Sequence, residues 1–241
     1  MEPTRETKRL RARQTASGPL AIAVFALCLA LSATAPTLAD DNQGWTALFV
    51  NGPATDGKFL LWFDGHARFR DDAQELGVSI IRPGVGWRLS DKLSLWAGVA
   101  RVTVYIDGPD IDEDRIWQQA TYRLGSPFGG SLSGRTRLEQ RFRDDQGDDT
   151  GWRIRQFVRW AKPIGDTKFG WLVWDELFWG LNDADWGQRD GFDQNRLLIG
   201  FTWQANDRMR IEAGYLNNIL DTPGGSDRTN HNVSVGLAVG L

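Results

Sequence analysis

The stretch Ser131-Leu-Ser-Gly-Arg-Thr-Arg-Leu-Glu-Gln-Arg-Phe-Arg143 separates into two chemically different sets when read at every second residue. Leu132, Gly134, Thr136, Leu138, Gln140 and Phe142 form one set; Ser133, Arg135, Arg137, Glu139, Arg141 and Arg143 form the other. Neighbouring side chains of a β-strand point to opposite faces, so a strand over 131–143 presents one mainly apolar face and one densely charged face. A helix, with its period of 3.6, would scatter both sets around its circumference.

The same alternation recurs on both sides of this stretch. Trp152, Ile154, Val158 and Trp160 oppose Arg153, Arg155 and Arg159. Met209, Ile211, Ala213 and Tyr215 oppose Arg208, Arg210, Glu212 and Gly214, and Val233, Val235, Leu237, Val239 and Leu241 oppose Asn232, Ser234, Gly236, Ala238 and Gly240. No window between Trp45 and Leu241 carries helical periodicity. Strands are expected at roughly 43–51, 58–70, 78–89, 92–104, 114–124, 131–143, 152–162, 169–181, 193–204, 208–217 and 230–241. Short turns, such as Ser90-Asp91 and Ala205-Asn206-Asp207, alternate with mostly longer acidic loops such as 107–114, 144–149, 182–191 and 219–227. That alternation is the habit of an up-and-down bacterial barrel, with turns at one rim and loops at the other. Such barrels favour an even number of strands. The expected count is therefore ten, with 43–51 falling short of a full strand, or twelve, with one strand unseen.

Residues 1–39 are of a different kind. Lys8, Arg9, Arg11 and Arg13 precede an apolar run from Leu20 to Ala33, which leads to Thr37-Leu38-Ala39. The run is shorter than the roughly 20 residues of a spanning helix, and the pattern is that of a signal peptide cleaved after Ala39. Cleavage leaves 202 residues, 40–241, as a single domain. Of 28 Lys and Arg and 31 Asp and Glu, 23 and 29 remain, a net charge of about −6 that argues against a nucleic-acid partner. The one cysteine, Cys28, departs with the leader, so no disulfide is available to the exported chain.

Alternation alone fits either a soluble barrel with an apolar interior or a membrane barrel with an apolar exterior. The export signal, the loop alternation and the tryptophans favour the second. Trp152, Trp160, Trp171, Trp179 and Trp203 lie near segment ends on the apolar set, where membrane barrels carry aromatic girdles. Trp96 and Trp174 fall on the polar set and Asp175 on the apolar one, which calls for a bulge or for aromatic side chains in the interior. The expected fold is an all-β, closed, antiparallel up-and-down transmembrane barrel of about 10–12 strands in the outer membrane of a Gram-negative cell.

Several runs carry a resemblance: Arg82-Pro-Gly-Val-Gly-Trp87, Ser90-Asp-Lys-Leu-Ser-Leu-Trp96, Arg115-Ile-Trp-Gln-Gln119, Arg135-Thr-Arg-Leu-Glu-Gln-Arg141, Trp174-Asp-Glu-Leu-Phe178, Gln194-Asn-Arg196, Gly214-Tyr215 and Asn230-His231. They resemble the bacterial family catalogued as domain of unknown function 2490, over essentially all of residues 40–241. The resemblance implies an outer-membrane β-barrel and no particular solute. The chain departs from the family pattern in reading Glu113-Asp114-Arg115 where a Glu-His-Arg run is common. It also ends in Leu241 where many outer-membrane barrels end in Phe.

On the alternation, Arg68, Arg70, Arg82, Arg88, Arg123, Arg135, Arg137, Arg141, Arg143, Arg153, Arg155, Arg159, Arg196, Arg208 and Arg210 face inward, against Asp64, Glu139, Glu176 and Glu212. Buried guanidinium groups require a carboxylate, water or a bound anion. One reading makes Glu139, Glu176 and Glu212 rungs of a ladder that stiffens a narrow barrel. The other is a water-filled passage or pocket favouring small anionic solutes, with slow and selective passage at most. No cofactor, metal site or catalytic residue is assigned, and the expected partners are outer-membrane lipid, lipopolysaccharide and the assembly machinery. The acidic loops are solvated tips or, alternatively, ligands for divalent cations bridging lipopolysaccharide. Two further classes stay open: a lipid-modifying enzyme, disfavoured because His231 and Ser234 fall on opposite faces, and a soluble periplasmic binding barrel.

Overall fold

The computed structural model describes residues 39–55, 57–143, 145–222 and 225–241, and of residues 39–42 the backbone alone. The leader expected over 1–39, with Cys28, lies outside the described residues but for Ala39. The strands are β1 (Ala39–Pro53), β2 (Phe59–Arg70), β3 (Glu75–Ser90), β4 (Leu93–Val104), β5 (Ile111–Gly125) and β6 (Ser131–Arg143), followed by β7 (Gly151–Pro163), β8 (Phe169–Gly180), β9 (Gly191–Gln204), β10 (Met209–Leu220) and β11 (Arg228–Gly240). A 3-10 turn at Pro127–Gly129 is the one helical piece among the described residues.

Each strand pairs with its sequence neighbours, and β1 pairs with β11 to close the barrel. The even count expected from sequence is corrected here: the barrel has eleven strands, and 39–53 is a full one. With an odd number, the first and last strands run in the same direction, so the seam is parallel, with Trp45 opposite Ser234 and Leu48 opposite Leu237. All the other pairings are antiparallel. Even parity is a habit of bacterial barrels, whereas closure requires only that two edges with compatible faces meet. β1 therefore starts at the rim carrying the longer loops, and β11 ends at the rim carrying the turns.

The strands run further than expected where charged residues pair across the ladder. Arg101 and Thr103 on β4 bind Asp112 on β5 at 2.6 Å each, so Asp112 and Glu113 belong to a strand rather than a loop. Arg70 and Glu75 likewise face each other where β2 and β3 begin to separate. Arg208 is corrected in the other direction: it is exposed in the turn before β10, because the Asn206 side chain caps the backbone N–H groups of Arg208 and Met209 at 3.0 Å.

The two faces of the sheet are chemically inverted relative to a water-soluble fold. Ile81, Val85, Leu95, Val99, Ile199, Phe201 and Val233 are exposed on the outside, Val233 at 67%. Arg137 and Glu139 have no exposed surface inside. An exterior this apolar matches a hydrocarbon surrounding. Trp152 and Trp179 ring the outside near the loop rim, and Trp87, Trp171 and Trp203 near the turn rim. Trp96 and Trp174 point into the barrel, so interior aromatics rather than bulges account for their parity. Asp175 does point outward, where neighbouring side chains cover it completely and Asn195 donates to both its carboxylate oxygens at 3.2 Å.

Candidate functional site

The middle of the interior is built from β2 to β8. The alternation that defines β6 places Arg135, Arg137, Glu139, Arg141 and Arg143 in a column along the inner wall. Glu139 accepts hydrogen bonds from Arg153 and Arg155, each at 2.7 Å, with Arg115 at 3.8 Å and Arg137 at 3.9 Å. Glu176 on β8 takes Arg155 at 2.8 Å and Arg135 at 2.5 Å. Glu212 on β10 takes Arg159 at 2.6 Å and Arg210 at 2.9 Å. Asp64 on β2 holds Arg82 at 2.6 Å and His66 at 2.7 Å, and also accepts from the Trp62 indole.

Arg137 is the least compensated of the column. Its Nε donates to Gln119 at 2.8 Å, while neither of its amino groups finds a hydrogen-bond partner among the described residues. The guanidinium lies instead over the rings of Trp117, at 4.7 Å, and Trp62, at 5.8 Å. Trp62 packs edge to face against both Trp96 and Trp117, and with Leu60 and Ala100 they fill the inside of β2 to β5 at mid-height.

Toward both rims the interior is open. A cavity of about 750 Å³ lies behind the turn rim, walled in part by Arg88, Arg123, Arg135, Arg159 and Arg210. One of about 440 Å³ lies behind the loop rim, walled by Arg68, Arg115, Arg141, Arg153, Arg196 and Arg228, with Glu113 and Asp193 as its acids. Between them is a smaller cavity of about 130 Å³ beneath β1, β9, β10 and β11. It shares Trp45, Arg68, Arg82, Arg155 and Arg196 with the loop-rim cavity, and Arg135 and Phe157 with the turn-rim one. Among the arginines of these cavities that are not exposed, Arg68 and Arg196 stand apart, since no carboxylate of the described residues lies within 4.0 Å of either. Both rest on Trp45, with guanidinium carbons 4.0 and 4.9 Å from the ring centre.

Of the residues expected inside, the ladder of Arg135, Arg137, Arg141, Arg153, Arg155, Arg159, Arg196 and Arg210 with Glu139, Glu176 and Glu212 lies on the inner wall. Arg135, Arg137, Arg153, Arg155, Glu139 and Glu176 come together at mid-height. Arg159, Arg210 and Glu212 cluster toward the turns, and Arg141 toward the loops. Arg196 lies beside the middle cavity without a carboxylate. Sequence reading overlooked Glu113, Arg115, Asp193 and Arg228. Glu113 and Arg115 share the parity of Arg123: Arg115 already lay within the expected strand, and Glu113 would have been found had 111–113 been read as strand. Asp193 sits at a register shift between β8 and β9, so its inward aim breaks the alternation.

At the loop rim, Trp186 is folded inward and buried, and its ring carries Arg141 at 4.9 Å and Arg143 at 5.6 Å. The acids of this rim turn back on the backbone. Asp185 accepts from the N–H groups of Asp148 and Asp149, and Asp149 accepts from that of Asp185, clasping two loops together. Among the described residues no three His, Cys, Asp or Glu side chains gather in a metal-binding group. His231 points outward with its Nδ1 against the Tyr215 hydroxyl, while Ser234 lines the middle cavity.

Among solved structures, the chain is similar to an anion-selective porin from Comamonas acidovorans, with 13% sequence identity and a TM-score of 0.36 over 75% of this chain and 57% of the porin. The chain thus spans less than two thirds of that porin's length. An uncharacterised protein of Methylorubrum extorquens is 34% identical over 205 residues, which cover 83% of this chain and 87% of the relative. The model of the family described as protein of unknown function, DUF2490, matches residues 42–230, and the chain belongs to that family.

Proposed function

We propose that this chain is a non-catalytic outer-membrane barrel whose interior holds small anions and passes them slowly. The observation that carries the reading is the pair Arg68 and Arg196, two guanidinium groups inside a closed barrel with no carboxylate of the described residues within 4.0 Å. A buried charge without a counter-charge needs water or an anion. The cavities at both rims are walled by arginines, so an anion entering from either side meets the same sign of potential. The apolar exterior and its two aromatic bands support seating in a bilayer, with lipopolysaccharide as the neighbour at the loop rim.

A closed envelope barrel is the second reading, favoured by Arg137, Glu139 and Trp117, which are fully buried at mid-height. One experiment separates the two: reconstitution into a planar bilayer under a KCl gradient. A reversal potential set by chloride supports passage; cation selectivity, or no conductance, removes it. Fractionation tests the location. A membrane barrel stays with the envelope and changes gel mobility on heating, whereas recovery in osmotic-shock fluid overturns the assignment.

A further inference from the structure

The middle cavity has two chemically different ends. On one side lie Arg68, Arg82, Arg155 and Arg196; on the other lie Phe49, Phe157, Trp174, Leu198 and Leu216; Glu176 and Glu212 also line the cavity, each held by two arginines. Of the arginines, Arg82 is matched by Asp64, and Arg155 by Glu139 and Glu176. Arg196 is buried, at 7% exposure, and spends its Nε and one amino group on Asn218 and Gln194, leaving the other amino group without a hydrogen-bond partner among the described residues. Arg68 donates to none of the described residues, and its Nε is buried. The Arg68 guanidinium and one amino group of Arg196, both on one tryptophan, therefore lack an acceptor, next to an apolar recess.

We infer that the middle cavity binds a small carboxylate with an apolar body, the size of benzoate, its carboxylate on Arg68 and Arg196 and its ring among Phe49, Leu198 and Leu216. This rests on the reading of the interior as an anion-holding space and names the class of anion. A cavity of about 130 Å³ is close to the size that accommodates one benzene ring. Guanidinium groups bind carboxylates through paired, charge-assisted hydrogen bonds. Inorganic phosphate needs donors on all sides, and the apolar wall would leave several of its oxygens desolvated and unpaired. Chloride would leave the recess empty.

The test uses the folded protein in detergent, with benzoate, benzyl alcohol and inorganic phosphate as probes, read by titration calorimetry and by the emission of the lining tryptophans. Benzoate is expected to bind at one site. Benzyl alcohol and phosphate should each be weaker by about tenfold or more, the worth of one charge-assisted hydrogen bond. Arg196→Gln should cost a similar factor, and Arg196→Lys less. Gly236→Val reaches the recess from β11 without removing a charge. A Cβ there meets Phe49 and Ala47 only at ordinary contact distances of 3.6–3.9 Å, so this variant tests the site even if the arginine variants do not fold. It should abolish benzoate binding.

Absence of benzoate binding, equal affinity for benzyl alcohol or phosphate, or unchanged affinity in Gly236→Val overturns the inference. The KCl reversal potential measured without benzoate keeps the two readings separate. An anion-selective barrel that ignores benzoate sinks this site alone. A non-conducting or cation-selective barrel that binds benzoate as described sinks the passage and keeps the site.

Discussion

Gly84 on β3 and Gly236 on β11 both face the interior, yet a methyl group added at each would meet opposite fates. At Gly84 it would stand 2.4 Å from the Trp117 ring; at Gly236 its nearest neighbour is Phe49 at 3.6 Å. The first glycine makes room for an indole that a strand two places away sends across the barrel. The second faces Ala47 and Ser234, short side chains on neighbouring positions, and the space above them stays open as the middle cavity. At mid-height the interior is thus packed like a protein core on the side of β2 to β6 and left as a charged recess on the side of β1 and β9 to β11. Small residues on a barrel wall mean space, and only the opposite wall says whether that space is filled.

The sharpest way to break this comparison is at Glu139, which anchors the packed half. Glu139→Ala leaves Arg153 and Arg155 without their shared carboxylate and is expected to cost about 3–5 kcal/mol in denaturant unfolding of the detergent-folded barrel. A loss below about 1 kcal/mol would mean that water already solvates that half. Next in size is Gly84→Ala, where displacement of Trp117 should cost about 1–3 kcal/mol. The matching change Gly236→Ala should have the opposite sign, a gain of about 0.5–1 kcal/mol, because the new methyl fits and the unfolded chain loses freedom. Equal signs for the two glycine variants would erase the distinction between the halves. The smallest effect is expected at the rim. Asp185→Ala should leave the global unfolding midpoint in place while speeding protease nicking within 181–190, since Asp185 binds only loop backbone.

How far the residues alone carry the argument depends on the range of each interaction. The strands of β6, β7 and β11 were legible because each is long and clean in period two. The extra turn of strand at Ile111–Glu113 was not, since its acids look like loop residues until Arg101 and Thr103 of the neighbouring strand are seen to bind Asp112. Glu139, Glu176 and Glu212 could be paired with arginines in advance by parity. The isolation of Arg68 and Arg196 could not, because it depends on which carboxylates the register brings within reach. Asp193 escaped for a related reason: it sits where the pairing of β8 and β9 slips by a residue.

Period-two alternation by itself determined that this chain is a β-barrel with an arginine-rich face turned away from an apolar one, because side-chain direction in a strand is a local property of the backbone. Closure was decided only in three dimensions. Eleven strands bring two edges together in parallel, and that seam places Trp45, already opposite Arg68 on β2, beside Ser234 and in reach of Arg196. Which arginines share a carboxylate, and which are left facing a recess, follows from contacts between strands far apart in sequence, and no local pattern encodes those distances.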